Sequence, residues 1–182
     1  SLQPKEIDNE LINIWKNESN GRLCPHFHLP LQSGSNNILK KMRRKYSSKE
    51  FIDITNMINL SIPSASITTD IIVGFPSETK NEFNETLKVV EKSYLNNLHV
   101  FPYSTRPGTS AFYAKDHVNP EIIKFRSKEL SELSKKISLD SMKKIVGNKR
   151  SILWEGKDKN SGLTEDYYRV KRKFADKPIN KI

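Results

Sequence analysis

The residues best suited to chemistry gather in three short segments: Gln32-Ser33-Gly34-Ser35, Gly74-Phe75-Pro76-Ser77-Glu78-Thr79 and Ser104-Thr105-Arg106-Pro107-Gly108-Thr109. Each joins hydrogen-bonding side chains to a glycine. Glycine lets a backbone approach a ligand closely, although Gly34, Gly74 and Gly108 suit plain turns equally well. Asp70 interrupts an apolar run, where a carboxylate is costly unless it is paired or faces a polar cavity, so a ligand-facing role is expected. Gln32 offers a donor and an acceptor for orienting a ligand, or else a satisfied structural amide. His26, His28 and His99 invite a metal. His26 and His28 precede a proline-containing strand and have no carboxylate or cysteine at a recognisable ligand spacing, so no metal site is expected. Cys24 has no assignable base beside it and reads as a small packed residue, not a nucleophile. No catalytic residue is assigned.

A basic run, Lys40-Lys41-Met42-Arg43-Arg44-Lys45-Tyr46, follows the first segment. Its cations can neutralise phosphates, and Tyr46 could stack on a base. Arg43 and Arg44 are the stronger candidates, because guanidinium pairs with phosphate through two hydrogen bonds. The plainer reading is a solvated helix face with Leu39 and Met42 turned inward, and the two are compatible.

The elements that must position these residues alternate in type. Strands are predicted over Phe27–Gln32, Ser66–Val73 and Leu98–Tyr103, and each runs into one of the three segments. Pro30 and Pro102 weaken the first and third. Ser47 with Glu50, and Thr79 with Glu82, have capping-box spacing. Phe51, Ile54, Ile58 and then Phe83, Leu87, Val90 follow at helical intervals. Connections this long argue for parallel strands, whose carboxyl ends are where ligands bind in α/β sheets and barrels. A helix over Asp8–Glu18 should turn Leu11, Ile14 and Trp15 inward and end before Gly21. After Pro120 a long helix carries Ile123, Leu130, Leu133, Ile137 and Met142 toward Gly147. The tail reads as two short strands, Ser151–Gly156 and Tyr167–Lys171, with a polar glycine-containing connection between them.

Composition bounds the partners. The 182 residues carry a formal charge of +10 and 35% hydrophobic residues, which suits a globular protein and makes polyanions such as nucleic acid candidate ligands. One cysteine excludes an internal disulfide framework and any zinc or iron–sulfur site built from several cysteines of this chain. No apolar stretch reaches the roughly 18 residues of a membrane span, and the first residues lack a signal-peptide pattern, so no membrane partner and a cytoplasmic location are expected.

Cys24-Pro25-His26-Phe27-His28-Leu29-Pro30-Leu31-Gln32-Ser33-Gly34-Ser35, followed by Leu39-Lys40-Lys41-Met42-Arg43-Arg44-Lys45-Tyr46, closely resembles the central segment of the radical S-adenosylmethionine (SAM) tRNA methylthiotransferases. Thr69-Asp70-Ile71-Ile72-Val73-Gly74-Phe75-Pro76-Ser77-Glu78-Thr79 with Glu82-Phe83 is similar to their next signature. The likeness covers about residues 1–145. More loosely, the tail is similar to the start of their RNA-binding TRAM module. Leu98–Ser104 with Arg106, Gly108, Thr109 and Ala111 resembles the branch acting on N6-threonylcarbamoyladenosine next to the anticodon.

The resemblance implies an α/β fold: the C-terminal part of a partial (β/α)6 barrel over 1–145, and an incomplete β module over 146–182. It implies methylthiolation of C2 of the base in the intact protein, with SAM and two 4Fe-4S clusters as cofactors and the tRNA anticodon stem-loop as partner. The cluster-binding cysteines, the CxxxCxxC motif among them, are expected in a preceding part of the same polypeptide, leaving this chain inactive alone. Gln32, Ser33, Gly34, Asp70, Gly74, Phe101 and Tyr103 would line the SAM and substrate cavity. Lys40, Lys41, Arg43, Arg44, Lys45, Tyr46 and Arg106 would contact RNA. Ser77 stands where the family usually has glycine. The alternatives are the isopentenyladenosine branch of the same family and a non-catalytic RNA-binding fragment.

Overall fold

The computed structural model describes residues 2–18, 22–155 and 160–172. Gly21 and Gly156, used above as a helix stop and a strand end, lie outside them. The elements are α1 (Asn9–Asn13), β1 (His26–His28), α2 (Asn36–Lys41), α3 (Ser48–Ser61), β2 (Ser66–Val73), α4 (Lys80–Lys92), β3 (Asn97–Pro102) and α5 (Pro120–Ile145), then β4 (Ile152–Glu155), β5 (Ser161–Thr164) and β6 (Arg169–Lys171). The first three strands form a parallel sheet in the order β1-β2-β3, and the last three an antiparallel sheet in the order β4-β5-β6. The parallel pairing expected from the long connections is therefore present.

Both capping boxes form as their spacing predicts. Ser47 Oγ accepts from Glu50 N–H while Glu50 Oε2 accepts from Ser47 N–H, and Thr79 and Glu82 exchange the same pair. One face of the parallel sheet turns Phe27, Leu29, Leu31, Ile67, Ile71, Val73 and Leu98 into a core closed by Phe51, Ile58, Phe83, Val90 and Leu130 from the helices. The opposite face carries His28, Thr68, Asp70, Ile72, His99 and Phe101, because strand side chains alternate. This second face holds the site.

Four sequence expectations are corrected. β1 is shorter than predicted, because Pro30 has no N–H to continue the ladder. Side chains take over there: Leu31 N–H donates to Thr69 Oγ1 at 2.9 Å, and Tyr46 Oη donates to Pro30 O at 2.7 Å. Beyond them, Gln32 rejoins β2 opposite Ile71. α1 passes into a π-helical turn at Ile14–Glu18, which rotates Ile14 outward, buries Ile12, and leaves Trp15 packed on Phe27. Along α5, Leu130, Leu133 and Ile137 pack inward as expected, but Met142 is exposed, and Arg126, Ser134 and Ser141 complete the buried side. The small serines let this helix close on β3, with Ser134 Oγ donating to Leu98 O at 2.9 Å. The connection in the tail is itself a strand, β5. Its Gly162 is required because a Cβ there would strike Leu153 O and Ile152.

Candidate functional site

All three glycine-containing segments follow carboxyl ends of β1, β2 and β3, or the Gln32 bridge that extends β1. Beside them opens a cavity of about 1100 Å³ lined by Gln32, Asp70, Phe101, Tyr103, Arg106, Lys41 and Arg43, with Phe75 and the Gly108–Ala111 loop. Two loops are tied together at its rim: Tyr103 N–H donates to Val73 O at 2.7 Å, and the Tyr103 ring meets Phe75 edge-on at 5.4 Å. Tyr103 Oη is shielded from solvent and has no hydrogen-bond partner. A shielded hydroxyl without a protein partner is satisfied by water or by a ligand atom.

Three predicted cavity residues are elsewhere. Ser33 is buried with its Oγ 3.4 Å from Thr86 Oγ1, and Gly34 N–H donates to the same hydroxyl. A Cβ on Gly34 would strike the Thr86 backbone, so this glycine admits α4. Gly74 has φ +78°, a backbone state that favours glycine, and a Cβ there would collide with Ile123. Its N–H donates to Glu78 Oε1, which also receives Arg126 Nη1 at 2.5 Å. Burial pushes the Glu78 carboxyl above its ordinary range, against the pull of Arg126 and the Gly74 N–H. Arg126 additionally lies over the Phe83 ring and donates to Glu78 O, pinning the loop after β2 to α5. Sequence reasoning missed Arg126, which looked like one more cation of a basic helix. Ser77 adopts φ +66°, which explains why a glycine would be usual there, and its Oγ meets Lys41 Nζ.

The basic run is not a continuous helix face. α2 ends at Lys41 and Arg43 takes φ +56°, with Arg44 N–H donating to Leu39 O and Arg43 N–H to Lys40 O. That is a Schellman ending with arginine in the position glycine usually fills. The turn brings Lys41, Met42 and Arg43 to the cavity, while Lys40 and Lys45 stay on the exposed surface and Arg44 Nε is buried. Tyr46 cannot stack on a base as predicted: it is 6% exposed, its hydroxyl holds Pro30 and Leu31, and burial pushes its pKa up to about 12. Cys24 is exposed and not packed.

Asp70 is paired, as its cost demands. His28 Nε2 lies 3.1 Å from Asp70 Oδ2, and His99 Nδ1 lies 3.3 Å from Asp70 Oδ1. Register supplies what linear spacing hid: Asp70 stands opposite His99, and His28 opposite Thr68. The expectation that His26 and His28 lack a carboxylate partner is therefore overturned for His28, while His26 meets a hydroxyl. Thr68 Oγ1 also joins His28 Nδ1 at 3.0 Å and His26 Nε2 at 3.1 Å. Burial, then the neighbouring His28 and His99, lower the His26 pKa.

The profile of the radical SAM superfamily matches residues 4–90. The chain is 42% identical over 98% of its length to the tRNA-2-methylthio-N(6)-dimethylallyladenosine synthase of Oceanobacillus iheyensis, covering 35% of that protein. It is 44% identical over 84% of its length to the synthase of the same name from Corynebacterium diphtheriae, covering 29% of it. It is 37% identical over its whole length to the threonylcarbamoyladenosine tRNA methylthiotransferase of Thermotoga maritima, covering 42% of that protein. The chain thus spans about a third of the length of the curated relatives it matches. Among the described residues no helix is long and apolar enough to cross a membrane. With its parallel sheet and its strand-end cavity, the chain carries a radical SAM superfamily segment over residues 4–90 and is similar along its length to radical SAM tRNA methylthiotransferases.

Proposed function

We propose that the strand-end cavity is one wall of the site in which a methylthiotransferase modifies C2 of N6-threonylcarbamoyladenosine next to the tRNA anticodon. The observation that carries this is a single cavity holding Gln32, Asp70 and Tyr103 together with Arg43 and Arg106. The guanidinium groups suit both phosphates and the carboxylate of a threonylcarbamoyl substituent. Lys40 and Lys45 extend the basic surface beside it. In this reading β1–β3 with α1–α5 are part of a (β/α)6 barrel, and 146–182 a TRAM-like module that adds RNA contacts.

SAM fits this wall, since the unpartnered Tyr103 Oη, the Gln32 amide and the Asp70 carboxylate can receive its polar groups while Phe101 offers an aromatic surface. When bound it supplies the methyl group and the 5′-deoxyadenosyl radical. Iron–sulfur clusters do not fit the residues present, because the single thiol, Cys24, is exposed before β1, at the end of the sheet opposite the cavity. This chain's own residues bind and orient, with Arg43 and Arg106 fixing the RNA and the Arg126–Glu78 pair holding the loop that shapes the wall.

A second reading, the dimethylallyl nucleoside, is favoured by the names of the Oceanobacillus and Corynebacterium relatives and by the apolar Ile72, Phe75 and Ala111 of the same cavity. The test of an RNA-binding wall is filter binding of an anticodon stem-loop at several salt concentrations. Replacing Arg43 and Arg106 with Ala is expected to flatten the salt dependence by about 0.7 to 0.9 in slope for each phosphate no longer neutralised. An unchanged slope and affinity would overturn it.

A further inference from the structure

We propose that His28, Asp70 and His99 form a binding site for a divalent first-row transition ion, Zn²⁺ in the simplest case, on the open face of the parallel sheet. Each residue offers one ligand atom, and the three atoms lie within 4.8 Å of one another. Two imidazoles with one carboxylate form a donor set for zinc, ferrous iron or cobalt, and a poor one for magnesium or calcium, which prefer oxygen alone. The spacing agrees with the chemistry. Tetrahedral bonds of about 2.0–2.1 Å place neighbouring ligand atoms about 3.3 Å apart. His28 Nε2 lies 3.1 Å from Asp70 Oδ2 and His99 Nδ1 3.3 Å from Asp70 Oδ1, so each imidazole has a carboxylate oxygen at about that spacing, and a small rotation of the carboxylate or of His99 brings the three ligand atoms onto one ion.

The sheet supplies the rigidity such a site needs. His99 is fixed opposite Asp70 by the β2–β3 register, and His28 sits one strand away on the same face. Thr68 Oγ1 lies 3.0 Å from His28 Nδ1. Accepting the Nδ1–H proton there leaves the Nε2 lone pair facing Asp70, as a bound ion requires. The His99 side chain is 47% exposed and so has room to swing the short distance that closes the third edge. Three protein ligands leave at least one position open, toward the side of the sheet that the helices do not cover. This site shares Asp70 with the strand-end cavity but uses neither Arg43 nor Arg106, and ion binding is read without SAM or RNA, so its test does not depend on that reading.

The experiment is titration of the 182-residue chain with Zn²⁺ and Co²⁺, followed by calorimetry, by the visible absorption of Co²⁺ and by the imidazole NMR signals of the wild type. One ion per chain is expected, with the ring signals of His28 and His99 moving and those of His117 unmoved. Asp70→Asn and His99→Ala should each weaken binding by more than tenfold, and Thr68→Val, acting as a positioning change, by about tenfold. Cys24→Ser and His117→Ala should leave it unchanged. Absence of saturable binding would overturn the proposal. Binding that survives Asp70→Asn and His99→Ala would do the same, as would binding abolished by Cys24→Ser. The wild-type NMR result stands even if a variant fails to fold: ions that move no signal of His28 or His99 refute the site.

Discussion

The parallel layer, β1–β3 with its helices, and the β4–β6 sheet are held together by different physics. The layer contains every large side chain that is fully buried among the described residues, from Phe27 to Leu130. In the described part of the second sheet, Gly162, Thr164 and Asp166 are the buried residues, and Leu153 is 62% exposed. Its order comes from polar anchors. Arg150 Nε bonds Asp166 Oδ2 at 2.9 Å, Asn96 Nδ2 donates to Tyr168 Oη at 2.9 Å, and Tyr167 stacks on His26 at 4.2 Å. Apolar burial is strong and undirected, whereas a few hydrogen bonds give modest net stability with defined geometry. The layer can therefore hold a precise site, and the small sheet is an attachment whose placement depends on contacts with the layer.

The comparison is tested most severely in the core. Phe51→Ala, at a side chain with no exposure, should cost about 3–5 kcal/mol in chemical denaturation and disorder both sheets together. A β4–β6 sheet that stays ordered while the layer unfolds would contradict that dependence. Arg126→Ala leaves the buried Glu78 carboxylate without its partner and should cost about 3 kcal/mol. Amide exchange should concentrate that loss in residues 74–79, and an even spread would contradict the pinning role of the pair.

Smaller effects should separate the two regions. Tyr168→Phe removes one hydrogen bond and should cost about 1 kcal/mol, read as faster exchange in β4–β6 with the layer unchanged. Because the folded His26 pKa is lowered, the unfolded chain binds its proton first, so stability should fall as pH drops below about 6.5. His26→Phe should flatten that pH dependence while keeping an aromatic partner for Tyr167. An unaltered pH profile would show that His26 burial does not set it.

Much of the layer was legible in sequence because its signals are local. Ser47–Glu50 and Thr79–Glu82 start their helices where the spacing says, and Ser66–Val73 is the predicted strand residue for residue. The departures need information from distant residues. Pro30 cut β1 short, but only the fold shows Tyr46 and Thr69 replacing the ladder, which is why a tyrosine in a basic run looked available for stacking. Asp70 was marked by its cost in an apolar strand, yet its partners His28 and His99 lie 42 and 29 positions away and meet it only through parallel register. Ser33, Gly34 and Gly74 carried the composition of ligand contacts while serving helix packing.

The central proposal is that Asp70, Tyr103 and Arg106 form part of a tRNA methylthiolation site. The most direct measurement places this chain in the Thermotoga maritima relative, in place of the matching segment, and quantifies methylthio nucleosides by mass spectrometry on tRNA bearing each N6 modification. The account predicts product on threonylcarbamoyladenosine, abolished by Asp70→Asn and Tyr103→Phe together and reduced by Arg106→Ala. Full activity in those variants, with the chimera folded, would contradict it.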